Sequence, residues 1–165
     1  MFYQEEISAL NKKKVRYLVV GGVALVLHGV VRLTADLDLM VDLSKVNLIK
    51  FLEVMKSLDY KPKLPVDPRA FMDPEKRKKW AREKNMIAFA FGHQKHDYKE
   101  IDVFIDEPIP FAEAFKRKKT LAAKDVKINV ISFDDLITLK ERAGREQDIS
   151  DIKMLKELGG KNGKK

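Results

Sequence analysis

Apolar positions along the chain recur at two spacings, near 3.6 and near 2 residues, and their interleaving predicts an α+β domain with a mixed sheet flanked by helices. Residues 2–13 put Phe2, Ile7 and Leu10 on one side of a short amphipathic helix. "VRYLVV" reads as a buried strand that Gly21-Gly22 breaks, and "VALVLHGV" as a short, largely buried helix starting at those glycines. A strand follows over about 37–42. Ser44 suits the N-cap of a helix over roughly 45–58, with Val46, Ile49, Leu52 and Met55 along one face. Four of the six prolines fall in residues 60–74, which therefore read as a loop. Asp73-Pro74 pairs an N-cap with a first-turn proline and opens a charged helix to about Lys84. "MIAFAFG" and "EIDVFID" are two strands of an antiparallel hairpin joined by "HQKHDYK". A short segment around Phe111–Phe115 and a strand "VKINVIS" come next. Ser132 and Asp135 form a capping box for "FDDLITLKERA", which Gly144 ends. The last helix, about 146–158, carries Ile149, Ile152, Leu155 and Leu158 at helical spacing, and "GGKNGKK" reads as a flexible tail. Without a repeat or a linker, residues 1–158 form one domain and 159–165 a basic tail.

Within this pattern one strand is anomalous. In "RLTADLDLMVDL", Leu37, Leu39 and Val41 form a buried face, yet Asp36 and Asp38 stand together on the other. Two like charges held that close repel and resist losing their water. Asp102 in "EIDVFI" has the same character, since Ile101, Val103 and Ile105 face one way and Asp102 the other. Hard oxygen ligands converging on one point are what Mg²⁺ requires. Two such ions clamp the attacking and leaving oxygens of a phosphoryl transfer, and their charge offsets the repulsion. The Gly21-Gly22 turn ahead of a helix lets a backbone approach phosphate closely. Taken singly, each feature has a plainer reading: a tight turn, or solvated acids on edge strands. Their occurrence together and in this order favours a site.

Composition narrows the class. Hydrophobic residues make up 45% and charged residues 35% of 165, which marks a globular chain. The absence of cysteine excludes disulfides and thiolate metal sites and suits a reducing, cytoplasmic setting. The most apolar run, Leu18 to Val31, is too short and interrupted for a bilayer, so no membrane association is expected. Net charge is +8, with basic clusters at Lys12–Lys14, Arg77–Lys79, Lys116–Lys119 and Lys161, Lys164, Lys165. Such a surface attracts polyanions, although any one cluster is more simply a solvated helix end. Trp80 in a Lys/Arg-rich helix anchors that helix more plausibly than it stacks on a base, and His28 on its apolar helix fits a hydrogen-bonded structural role.

"GGVALVLHGVVRLTADLDLMV" resembles the signature of the DNA polymerase β-like nucleotidyltransferase superfamily: a Gly-Gly or Gly-Ser turn, a short helix, two acids one residue apart on a strand, and a third acid on a later strand. The pattern Gly-Gly, Ala, His-Gly, Arg, Thr, Asp-Leu-Asp is most similar to the uncharacterised, AbiEii toxin-like branch, as is "LITLKERAGREQDISDIKML". The resemblance implies a nucleotidyltransferase fold and transfer of a nucleoside monophosphate from an NTP to an acceptor. It implies Asp36, Asp38 and Asp102 as catalytic and metal-binding carboxylates, holding two Mg²⁺ with Mn²⁺ as a substitute. Gly21 and Gly22 would flank the triphosphate, and Arg32, Thr34 and Lys140 would touch phosphate or brace the site. Many active members carry serine where Gly22 stands, so Gly22→Ser is expected to strengthen the phosphate contact.

The acceptor, whether RNA, protein or small molecule, is left open, as is a partner protein or second copy completing the site. Two other functions fit the same residues. One is a non-catalytic nucleotide-binding regulator or toxin–antitoxin-type partner; the other is a basic nucleic-acid-binding module in which the acids are incidental.

Overall fold

The computed structural model describes residues 3–162; Phe2, Lys164 and Lys165 lie outside them. In chain order the elements are α1 (Gln4–Lys12), β1 (Tyr17–Val20), α2 (Gly21–Leu27), β2 (Leu37–Val41), α3 (Lys45–Ser57), β3 (Tyr60–Pro62), a 3-10 helix (Pro68–Met72), α4 (Pro74–Lys84), β4 (Ala88–His93), β5 (Glu100–Phe104), α5 (Phe111–Lys116), β6 (Lys119–Ala123), β7 (Val126–Val130), α6 (Phe133–Ala143) and α7 (Glu146–Asn162). The seven strands form one mixed sheet in the order β3-β4-β5-β2-β1-β7-β6. β2 pairs antiparallel with β1 and parallel with β5, and β1 pairs parallel with β7. The β4–β5 hairpin is antiparallel, as its sequence predicts.

Register decides the two faces. Val19, Leu37, Leu39, Ile101, Val103, Phe89 and Phe91 share one face and are buried there. Phe51 of α3 meets Phe91 edge-on at 5.6 Å, and Trp80 of α4 stacks on Phe89 at 5.1 Å. Trp80 is thus a core anchor. On the opposite face Asp38, Asp102, Ala90 and Gly92 are neighbours and only half-buried. This half-buried part of the face holds the site.

Four local expectations change. The buried face of α3 is Asn47, Leu48, Phe51, Val54 and Met55, whereas Val46 is 68% exposed. The row 46, 49, 52 is apolar, but the 48, 51, 55 row carries the larger side chains, and the aromatic cluster of Phe71 and Phe91 receives Phe51. The proline-rich stretch contains β3, an edge strand on which Pro62 needs no outward N–H. Strand β6 has no apolar alternation to announce it; its pairing with β7 around Lys124-Asp125 creates it. Finally α7 runs through Gly159-Gly160 to Asn162, where the sequence predicts a tail. A Cβ at Gly159 would lie 3.1 Å from the Phe133 ring, so a small residue lets the helix pack there. The inward residues of α7 are Asp148, Asp151 and Leu155, while Ile149 is exposed.

Capping follows the sequence more closely. Ser44 accepts from the Asn47 N–H, Asp73 from Glu75, and Ser132 from Asp135, while Gly144 closes α6 at φ +64°. The Asp135 carboxylate does not complete the capping box; it accepts from Arg117 at 2.9 Å. The corrected α3 face sets a test by chemical denaturation. Phe51→Ala should cost about 3–5 kcal/mol and Val46→Ser no more than about 0.5 kcal/mol. Equal losses would return the buried face to the 46, 49, 52 row.

Candidate functional site: a carboxylate cluster beside a glycine turn

Parallel pairing of β2 with β5 sets Asp38 level with Asp102, and the same register carried back two residues sets Asp36 level with Glu100. One carboxylate oxygen from each of Asp36, Glu100 and Asp102 lies within 4.8 Å of the other two. Of the three carboxylates expected from sequence, Asp36 and Asp102 therefore meet, and Glu100 takes the third corner. Asp38 shares their sheet face, but its carboxylate turns to the Gly21-Gly22 turn and accepts the Gly22 N–H. Glu100 was legible in "EID": it stands two residues from Asp102, as Asp36 does from Asp38.

The surrounding residues explain the convergence. Gly21 has φ +63°, and a Cβ there would lie 2.1 Å from Asp38 Oδ2. Both the backbone angle and the carboxylate exclude a side chain at this position. Tyr3, which immediately precedes α1, clamps the two acid-bearing segments. Its hydroxyl lies 2.6 Å from the Ala35 carbonyl and accepts from the Glu100 N–H at 3.3 Å. Nothing in the sequence singles Tyr3 out, because its partners are backbone atoms far along the chain. Lys63 crosses over Gly92, which leaves room for its stem, and pairs with Glu100.

Burial and crowding both raise the carboxyls of this cluster. Desolvation, aided by the Asp36 charge, pushes the Asp38 carboxyl up to about 6. Desolvation first, then a carboxyl–carboxyl hydrogen bond with Glu100 and the charges of Asp38 and Asp36, push Asp102 up to about 7. Asp36 is raised as well, chiefly by desolvation.

Arg32 and Lys140 are committed elsewhere. Lys140, only 7% exposed, pairs with Asp151 at 2.8 Å and Asp148 at 3.3 Å. Arg32 reaches the same Asp151 at 2.6 Å, and Arg145 holds Asp148 at 2.8 Å. This network, buried except for Arg145, ties α6 and α7 to the segment before β2, which fits bracing rather than phosphate contact. The charges of Lys140 and Arg145 also bear on Asp38. Thr34 is exposed, and its Oγ1 lies 2.5 Å from where a Cβ on Gly22 would be. His28 lies 2.8 Å from the Ile131 carbonyl, a structural hydrogen bond.

A family model described as a nucleotidyltransferase of unknown function (DUF6036) matches residues 2–158. The chain belongs to this nucleotidyltransferase family. Solved structures of the same fold include the lincosamide antibiotic adenylyltransferase LnuA with lincomycin bound (20% identity, 90% of each chain, TM-score 0.57). They also include ANT(2")-Ia in complex with adenylyl-2"-tobramycin (14% identity, 95% of this chain and 87% of that one, TM-score 0.58). A third is an antigenic nucleotidyltransferase-like protein from Paracoccidioides brasiliensis (19% identity, 90% of this chain and 71% of that one, TM-score 0.57). At these identities the likeness is one of fold. No curated protein matches the chain.

The raised carboxyls have a pH signature. Folding favours their protonated forms, so the stability they contribute is complete below about pH 4 and is lost as pH rises through about 6 to 7. Asn at 38 or 102 removes that loss. In thermal melts with chelator present, Asp102→Asn should match the native chain near pH 4 and exceed it by about 4–8 °C at pH 8, corresponding to on the order of 2 kcal/mol. A difference that does not grow with pH would mean the acids are not crowded.

Proposed function

We propose that this chain transfers a nucleoside monophosphate from an NTP to an acceptor, with Asp36, Asp38, Glu100 and Asp102 as the acidic centre. One observation carries this: four carboxylates level on two adjacent strands, beside a turn whose first glycine cannot bear a side chain. The donor set fits a hard divalent cation, since three carboxylate oxygens already lie within 4.8 Å and their mutual repulsion is what such an ion relieves. Asp36, Glu100 and Asp102 would hold Mg²⁺ or Mn²⁺, with Asp38 bearing on a second ion. Held there, such an ion would supply charge stabilisation for the leaving pyrophosphate and the attacking oxygen.

The chain's own residues supply the rest. A triphosphate would lie against the Gly21-Gly22 turn, where the Asp38 carboxylate and the Thr34 hydroxyl border the two glycines. Asp102 would accept the proton of an acceptor hydroxyl. Arg32 and Lys140 hold the acid-bearing segment through Asp151. LnuA and ANT(2")-Ia carry small-molecule ligands, so a small-molecule hydroxyl is the first acceptor class to try. RNA and protein are the acceptor classes to try next. Labelled NTPs incubated with Mg²⁺ and cell extract should place label in one acceptor class and release pyrophosphate. Nucleotide binding without release would favour the regulator.

Gly22 sets a sharper test. The missing serine hydroxyl has a substitute, because Thr34 Oγ1 occupies the space a side chain at 22 would enter. Gly22→Ser alone should therefore disturb the turn rather than improve it. Thr34→Val should weaken metal-dependent NTP binding about tenfold or more, as expected for a charge-assisted hydrogen bond. Gly22→Ser with Thr34→Ala should recover much of that binding in titration calorimetry. Unchanged affinity in Thr34→Val would remove Thr34 from the phosphate site.

A further inference from the structure

Lys63 immediately follows β3, and the β3–β4 pairing carried on one residue sets it level with Ala90, whose carbonyl accepts its N–H at 2.9 Å. Ala90 is level with Asp102 on β5, and Gly92 with Glu100. Because side chains alternate along a strand, Lys63 stands on the same sheet face as the acids. Its stem runs inward across β4, where Ala90 and Gly92 are small. A Cβ at Gly92 would touch Lys63 Cγ at 3.5 Å and Cε at 3.7 Å, so a larger residue there would push the stem aside. The ammonium ends on Glu100 Oε2, two strands away from its own backbone. The charges of Asp102 and Asp36 bear on it as well. The acids that Lys63 answers are therefore the three whose oxygens lie within 4.8 Å of one another.

We infer that Lys63 is a tethered counter-ion of this cluster, holding the place of a divalent cation and withdrawing when one binds. The inference rests on the metal-binding reading above. Three observations carry it. The first is competition: Lys63 and a metal ion call on the same carboxylates, and two cations held there repel each other. The second is where neighbouring cations go. Arg32, Lys140 and Arg145 pair with Asp151 and Asp148, which leaves the triad to Lys63. The third is freedom to leave. The Lys63 side chain is 55% exposed, so its ammonium returns to water without opening the core, whereas Lys140 is buried and would be left unpaired. An exposed pair of this kind is weak, which suits a stand-in that eases the repulsion among the acids without shutting a divalent ion out. The other role open to the same contact is a fixed tether from the sheet edge to β5, which would persist with metal bound.

Metal binding is measured without nucleotide, from the paramagnetic resonance of free Mn²⁺, at 0.15 M salt, where exposed charges more than about 8 Å apart are largely screened. Lys63→Met keeps the stem and removes the charge. It should bind Mn²⁺ about five- to tenfold more tightly than the native chain, and Lys63→Arg no more tightly. Lys61→Met, two residues back on the same face, should stay within about twofold. Melting at pH 8 separates displacement from mere proximity. If the ammonium leaves when metal binds, the affinity gained by Lys63→Met must reappear as stability lost without metal. In chelator that variant should melt about 2–5 °C below the native chain, and in saturating Mn²⁺ the two should coincide. The inference is overturned by unchanged or weaker Mn²⁺ binding in Lys63→Met, or by an equal gain in Lys61→Met. A melting deficit that persists undiminished in Mn²⁺ overturns it too and makes Lys63 a fixed tether. Each of those results leaves the metal site standing, whereas failure of every chain to bind Mn²⁺ removes the metal site and this inference together.

Discussion

Repulsion among Asp36, Asp38, Glu100 and Asp102 is the constraint around which this fold is arranged. Two adjacent parallel strands carry acids at matched positions on one face, where pairing would ordinarily place apolar or complementary side chains. Left to itself such a ladder would splay. It is held because the opposite face of the same strands is packed: Leu37, Leu39, Ile101 and Val103 are buried in the core that also contains the aromatic cluster. The apolar face pins the register, and the register forces the acids together. A slip of one residue would bury the carboxylates and expose the leucines, so the core that stabilises the sheet also fixes the site.

Two further devices keep the cluster in place. Tyr3 bridges the segment before Asp36 to the start of β5, fixing the separation of Asp36 and Glu100 through backbone atoms. The network of Arg32, Lys140, Asp148, Asp151 and Arg145 ties α6 and α7 to the loop that leads into β2. Buried ion pairs of this kind add little net stability, yet breaking one by removing a partner is costly. Their contribution here is positional. The Asp38 carboxyl feels the cations of that network from one side and the Gly22 N–H from another, which limits how far crowding raises it.

What the sequence revealed follows from how local each signal is. The Asp-Leu-Asp strand, the Gly-Gly turn, the β4–β5 hairpin and the caps at Ser44, Asp73 and Gly144 depend on neighbours within a few residues, and the structure reproduces them. The face of α3 depends on which row of side chains the Phe71–Phe91 cluster can receive, a tertiary matter. Strand β6 exists only through its pairing with β7. No apolar pattern marks Asp148 and Asp151 as inward residues, yet both are buried in α7, where Lys140 and Arg32 arrive from elsewhere in the chain to meet them. Glu100 was visible by its spacing. Tyr3 was not, since a hydroxyl bound to distant backbone groups leaves no pattern in the chain.

The distribution of cations carries a consequence for how phosphate is handled. Arg32, Lys63, Lys140 and Arg145, the cations around the carboxylate centre, each already answer a carboxylate. A triphosphate brought to the Gly21-Gly22 turn would meet the Thr34 hydroxyl, four acids and a Gly22 N–H that already bonds to Asp38, with none of these four cations uncommitted. Its charge would have to be balanced by divalent ions held on the acids. Binding of NTP and of metal would then be tightly linked, each weak without the other, because the same carboxylates that attract the ions would repel the bare nucleotide.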